Sequence, residues 1–104
     1  MKELNAADAE EYAGWFRCLS DGTRLLILNV VARAGTPMTV GEIVEQVDRS
    51  QSTVSNHLRI LAEQRFVLIE PDGVRSLVRV NDACMQALPE AAAVIMATRA
   101  PLPR

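Results

Sequence analysis

Hydroxyl, amide and guanidinium side chains, the groups that pair with base edges and phosphates, gather in one stretch of this sequence, Ser50-Gln-Ser-Thr-Val-Ser-Asn-His-Leu-Arg59. Ser50 is a good helix N-cap. Gln51, Ser52, Ser55, Asn56 and Arg59 supply uncharged polar groups and one guanidinium where an ordinary solvated helix carries a Glu/Lys mixture. Val54, Leu58 and Leu61 recur at i, i+4 and i+7 on the other face, the spacing that commits one side of a helix to a core. Such a helix can read a major groove; the bland alternative is a surface helix that happens to be rich in Ser and Gln. Enzyme chemistry has no comparable support. His57 is the single histidine and lies in this same helix, no Gly-rich phosphate loop is present, and no carboxylate pair shares a face.

Charge first counts against nucleic acid. The formal net charge is −2 and the sequence pI about 5.3, whereas phosphate neutralisation supplies most non-specific DNA affinity. The position of the charges points the other way. The segment from Arg49 to Arg79 holds five arginines against three acids, Glu63, Glu70 and Asp72, while the rest of the chain holds six bases against ten acids. At 104 residues with 49% apolar side chains, the chain predicts one domain over residues 1–104 with a modest core. Met1 to Ala7 lacks a secretory leader's pattern and no run is long enough to span a bilayer, so the sequence predicts a cytoplasmic protein without membrane contact. Cys18 and Cys84 lie outside any Cys-x-x-Cys spacing, which fits thiols in a reducing compartment.

The elements that must position the polar face follow from periodicity. Ala6 to Leu19 predicts a helix with Ala9, Tyr12, Ala13, Phe16 and Leu19 on one stripe, and Trp15 just off it. Ser20-Asp-Gly-Thr breaks the chain. Arg24 to Ala34 then predicts a helix apolar nearly all round, hence central. Thr39-x-x-Glu42 has the capping-box spacing and opens a short helix with Val40, Ile43, Val44 and Val47 inward. With the polar-faced helix after it, residues of about 39–64 form a helix-turn-helix. Phe66–Ile69 and Val74–Val80, separated by Glu70-Pro-Asp-Gly73, predict a two-stranded β-hairpin over about 66–80 with Arg75 and Arg79 in its second strand, the wing of a winged helix. A last helix of about 82–98 is interrupted by Pro89, as a kink or a later start, and Ala100 to Arg104 predicts a frayed tail. The expected fold is mainly α with that hairpin, paired as a homodimer through its first and last helices, because their apolar surface exceeds what one small domain covers.

Leu19-Ser-Asp-Gly-Thr-Arg-Leu-Leu-Ile-Leu, Met38-Thr-Val-Gly-Glu-Ile, the Ser50 to Leu61 helix and Asp72-Gly-Val-Arg75 together resemble the arsenical-resistance repressor (ArsR/SmtB) family of bacterial winged-helix regulators, over about Glu11 to Asp82. Gly22 departs from the Pro usual there, which should only relax the turn. The resemblance implies a homodimeric transcriptional repressor that binds a palindromic operator in double-stranded DNA and is released by a metal ion, metalloid or thiol oxidant. It carries DNA contact over to Ser50, Gln51, Ser52, Ser55, Asn56, His57 and Arg59 in the helix and to Gly73 and Arg75 in the wing. His57 sits on the edge of the core face and reads as a packed or phosphate-bonding imidazole before a metal ligand; Arg24 reads as a structural charge.

The family's zinc and Cys-x-Cys ligand patterns are not met, since Ile95 and Thr98 stand where the last helix would need ligands and Met38 to Ile43 holds no thiol. Cys18 and Cys84 remain as candidate ligands for a thiophilic inducer such as arsenite or mercury, beside the equal reading that both are structural core thiols. The competing function, motivated by the acidic pI, is a winged-helix protein-interaction module without sequence-specific DNA binding.

Overall fold

The computed structural model describes residues 3–97. In chain order the elements are α1 (Ala6–Cys18), α2 (Gly22–Ala34), β1 (Met38–Thr39), α3 (Val40–Val47), α4 (Gln51–Glu63), β2 (Val67–Asp72), β3 (Arg75–Val80) and α5 (Asp82–Ile95). Each helix begins on a side chain that accepts a hydrogen bond from an otherwise orphaned N–H: Asn5, Asp21, Thr39, Ser50 and Asn81. At α3 the capping box is reciprocal, with Glu42 N–H donating to Thr39 Oγ1 at 3.2 Å and Thr39 N–H donating to Glu42 Oε1 at 2.8 Å. Gly22 is the first residue of α2, capped by Asp21, so the helix starts two residues earlier than its periodicity indicated. That first position suits Pro because its N–H has no intrahelical acceptor, and Gly fits it at the cost of some rigidity.

The sheet has three antiparallel strands in the order β1-β3-β2, where the sequence predicts a two-stranded hairpin. Met38 pairs with Val78 and Thr39 with Leu77. Two residues cannot display a period-2 pattern, and Thr39 is at once strand end and helix cap. The hairpin is also longer than predicted, closing at Asp72 opposite Arg75 around a two-residue loop in which Gly73 takes φ 64°. Pro71 lies inside β2, which an edge strand tolerates because its missing N–H breaks no ladder on the outer side.

The core joins Ile27 and Val31 of α2, Ile43 and Val47 of α3, Val54, Leu58 and Leu61 of α4, Phe66 and Val67 at the start of β2, and Val78 of β3. Gly35 at φ 69° ends α2 in the left-handed conformation and turns the chain toward β1. The prediction that α2 is enclosed all round fails within one chain: Leu25 and Leu26 are 49% and 51% exposed. On α1 only Cys18 is buried, on α5 only Ala91, and Phe16, Met85, Ile95 and Met96 face outward. An apolar cleft of about 320 Å³ separates α2 from α5, lined by Leu25, Leu28, Phe66, Val80, Met85 and Leu88 among others. Pro89 sits within a continuous α5, so the later start is not taken; the expected end near Thr98 and the frayed tail lie outside the described residues.

These burials give a stability contrast. Leu61→Ala, which empties a fully buried site in α4, should cost about 2 to 5 kcal/mol in urea unfolding. Val74→Ala at the open tip of the hairpin should stay within about 0.5 kcal/mol of the parent. Equal effects would mean that the core lies elsewhere.

Candidate nucleic-acid interface

α4 is held from behind and at both ends. Val54, Leu58 and Leu61 are 0–2% exposed, so its inner face is fully desolvated. At its start the chain turns through Asp48, whose backbone is left-handed at φ 54°, and Ser50 Oγ accepts from the N–H of Thr53 at 3.2 Å. At its end the N–H of Phe66 bonds the carbonyl of Leu61 at 2.9 Å, leading directly into β2.

The outer surface of this helix is polar as its sequence indicates. Ser50, Gln51, Ser52, Ser55, Asn56 and Arg59 are all exposed and lie along one side. Arg59 is not idle in the free protein: its guanidinium donates to Glu63 Oε1 at 2.9 Å and to Asn56 Oδ1 at 2.8 Å. Three candidate readers or neighbours are thereby pre-ordered along α4, with hydrogen-bonding groups that a base edge or phosphate can exchange for its own.

The wing presents a second charged surface. Alternation along β2 and β3 sends Val67, Val78 and Val80 inward and puts Glu70, Asp72, Arg75 and Arg79 together on the outer face. There Arg75 pairs with Asp72 at 3.1 Å and Arg79 with Glu70 at 3.1 Å. All three acids counted between residues 49 and 79 therefore take an arginine partner, and the local positive excess is carried by Arg49 and Arg65. Arg49 joins the candidates, and the motifs alone do not indicate it. Its Nη1 donates to the carbonyls of Val47 and Asp48 at the end of α3, at 3.3 and 3.1 Å, beside the start of α4. The uneven charge count is the signal in the sequence that points to it.

His57 does not join the polar face. Its half-buried ring points toward α2, where Arg24 Nη1 lies 3.1 Å from Nδ1. Arg24 also donates through Nε to the carbonyl of Cys18 at 2.6 Å, a structural role for that charge. Asp21, which caps α2, is held below the usual carboxylate range, first by the N–H of Arg24 and then by its guanidinium.

The two thiols are unpaired and differently placed. Cys18 is buried at the end of α1; Cys84 is half-buried on α5, with Sγ donating to the carbonyl of Arg65 at 2.9 Å. Burial raises the pKa of both, which favours the protonated thiol over the thiolate a soft metal needs. Among the described residues no three His, Cys, Asp or Glu side chains stand together as a metal site, and no helix is long and apolar enough to cross a membrane.

Residues 21–68, from the cap of α2 to the start of the wing, match the profile of the bacterial regulatory protein, arsR family. The uncharacterized HTH-type transcriptional regulator MJ1325 of Methanocaldococcus jannaschii is 33% identical over 73 residues, covering 70% of this chain and 81% of that protein. The chain belongs to the arsR family. HTH-type transcriptional regulator Rv2034 of Mycobacterium tuberculosis is equally similar, 33% over 73 residues, and the chain spans 66% of its length, just under two thirds. Among solved structures, the AntR antimony-specific transcriptional repressor superposes with a TM-score of 0.74 at 28% identity, over 93% of this chain and 87% of that one. The homodimeric winged helix-turn-helix DNA-binding domain of Mb0332 from Mycobacterium bovis shares the fold, with a TM-score of 0.71 at 20% identity, over 100% of this chain and 98% of that one. This chain thus carries the winged helix-turn-helix of the arsR family of bacterial regulatory proteins, and the relatives it matches are named HTH-type transcriptional regulators.

The thiol environments give a chemical prediction. At pH 7.5 iodoacetamide should label Cys18 and Cys84 severalfold more slowly in the folded protein than in urea, followed site by site by mass spectrometry. Equal rates in the two states would contradict buried, protonated thiols.

Proposed function

We propose that this regulator is a repressor that binds a palindromic operator as a homodimer, with α4 in the major groove and the hairpin tip on the adjoining backbone or minor groove. The observation that carries the reading is the division of α4 between a fully buried apolar back and an outward row of Ser50, Gln51, Ser52, Ser55, Asn56 and Arg59. Gly73 and Arg75 at the wing tip are the contacts proposed for the flanking groove, and Arg49 is added as a phosphate contact. His57 stands apart from the reading row, since its Nδ1 accepts from Arg24 and only Nε2 is left to meet a phosphate.

Dimerisation is supported by the apolar side chains that α1, α2 and α5 leave in solvent, Phe16, Leu25, Leu26, Met85, Ile95 and Met96. A second copy covering them would set the two α4 helices about one DNA turn, ~34 Å, apart. A thiophilic inducer held by Cys18 and Cys84 draws no support from their surroundings: one thiol is buried at the end of α1, the other is hydrogen-bonded to the carbonyl of Arg65, and burial pushes the pKa of both up. Operator release by As(III) or Hg(II) in the parent, abolished in both Cys18→Ser and Cys84→Ser, would reverse that conclusion.

In fluorescence anisotropy against a duplex selected from a random pool, Gln51→Ala and Arg59→Ala should each weaken binding by about 1 to 3 kcal/mol without lowering the melting temperature. Glu63→Gln, which frees Arg59 from its partner, should strengthen binding and steepen its decline with salt. Unchanged affinity in the first two variants would remove α4 as the reading face. A chain that prefers no duplex over random competitor at any salt would instead be a protein-interaction module.

A further inference from the structure

Behind its outward polar face, α4 is also gripped from within by a contact that the operator reading leaves without a purpose. Arg24, in the first turn of α2, has a side chain only 15% exposed. Its Nε donates to the carbonyl of Cys18 in the last turn of α1 at 2.6 Å, its Nη1 donates to His57 Nδ1 at 3.1 Å, and the Asp21 carboxylate stands 4.0 Å from Nη1. One guanidinium thus ties the end of α1 and the start of α2 to the inner shoulder of α4.

The rest of α4's inner side is apolar, with Val54, Leu58 and Leu61 buried and Ile60 and Ala62 packed against the same core. Apolar burial holds a helix against a core but is non-directional, so it resists rotation about the helix axis weakly. A hydrogen bond has a direction. Among the described residues the Arg24–His57 contact is the only side-chain hydrogen bond that joins α4 to another helix. His57 adjoins Asn56 and lies two residues from Arg59, so a rotation at its position carries both readers with it.

We propose that Arg24 is a positioning residue that sets the rotation of α4 through His57, and that operator binding therefore requires the imidazole to be neutral. The inference rests on the operator reading above. A guanidinium has no acceptor and keeps its charge, so the bond exists only while Nδ1 carries a lone pair and the ring proton is on Nε2. Protonating the ring removes the acceptor and sets two cations face to face.

The groups facing the ring are Arg24 and Asp21 from α2 and, beyond Arg24, Cys18 at the end of α1. Asp21, held below the usual carboxylate range, stays ionised while an imidazole titrates. On α4 itself the nearest acid is Glu63, paired with Arg59 at 2.9 Å.

The test is operator affinity from pH 8.0 to pH 5.5, by anisotropy on a duplex selected from a random pool at pH 8.0, with a random duplex and far-UV circular dichroism in parallel. Charge alone makes DNA binding stronger as pH falls, since the protein becomes more positive. The proposal expects the opposite for the selected duplex, a loss of roughly threefold to tenfold, the worth of one net hydrogen bond, with the fold and random-duplex binding retained. His57→Asn places a neutral acceptor where Nδ1 was and should bind at pH 8.0 like the parent with that loss abolished. Arg24→Gln should bind weakly at both ends of the range. A parent profile that is flat or rises toward acid, or an unchanged fall in His57→Asn, overturns the inference. A parent that never distinguishes the selected duplex from the random one overturns the operator reading itself.

Discussion

The burial of three side chains, Val54, Leu58 and Leu61, governs what the rest of the molecule can do. A helix of 13 residues is marginal alone in water, and α4 has no acid in its first turn and no base in its last to assist it. Its order comes from tertiary burial, and that burial uses one face only. The other face is released from any duty to stabilise the fold, so it can be given over to Gln and to Ser and Asn, the last two mediocre helix formers, all of them good partners for base edges. The capping of α3 by Thr39 and Glu42, the left-handed corner at Asp48 and the bond from Phe66 to Leu61 then fix where the anchored helix begins and ends.

The same logic accounts for an acidic protein with a basic face. Each acid from Glu63 to Asp72 lies against an arginine, at 2.9 to 3.1 Å, and all of these pairs are exposed. Exposed ion pairs contribute about 0 to 1 kcal/mol, so exchanging a carboxylate for a phosphate sacrifices little. What the pairs do provide is order and restraint. The arginines are held in defined positions, and on the operator reading their neutralised field would attract an arbitrary duplex weakly. Specific contacts must then supply a larger share of the affinity, which favours discrimination over adhesion.

Much of this was legible in the residues because the signals were local. Caps at Thr39 and Ser50, the i, i+4, i+7 trio of α4 and the Asp-Gly turn each specify their own element without reference to the rest of the chain. The features that escaped are non-local. β1 is two residues long and exists because β3 lies beside it; Pro71 is accepted into β2 because that strand is an edge; Leu25 and Leu26 read as core but are half exposed. Arg24 and His57 are 33 residues apart, and their bond follows from the packing of α2 on α4, which no spacing announces. The site was legible in the same proportion: its outward row was visible, its inward grip and its ion pairs were not.

The exposed leucines of α2 connect these levels. A chain of this length hides a smaller fraction of its surface than a large one, and here much of the deficit falls on α1, α2 and α5, while α3, the inner face of α4 and the base of the hairpin at Val67 and Val78 are well covered. The chain is therefore asymmetric, with a completed half that carries the polar helix and the wing and an incomplete half that presents Phe16, Leu25, Leu26, Met85 and Ile95. The two halves meet at α2, whose inner side supplies Ile27 and Val31 to the core behind α4 and whose outer side supplies the unpartnered leucines. Arg24 stands at the start of that helix with its guanidinium on α4, so whatever packs on the outer side of α2 pushes on an element already tied to the reading helix. Coupling between an event at the apolar half and the polar row needs no long chain of intermediates in this fold, because a single helix touches both.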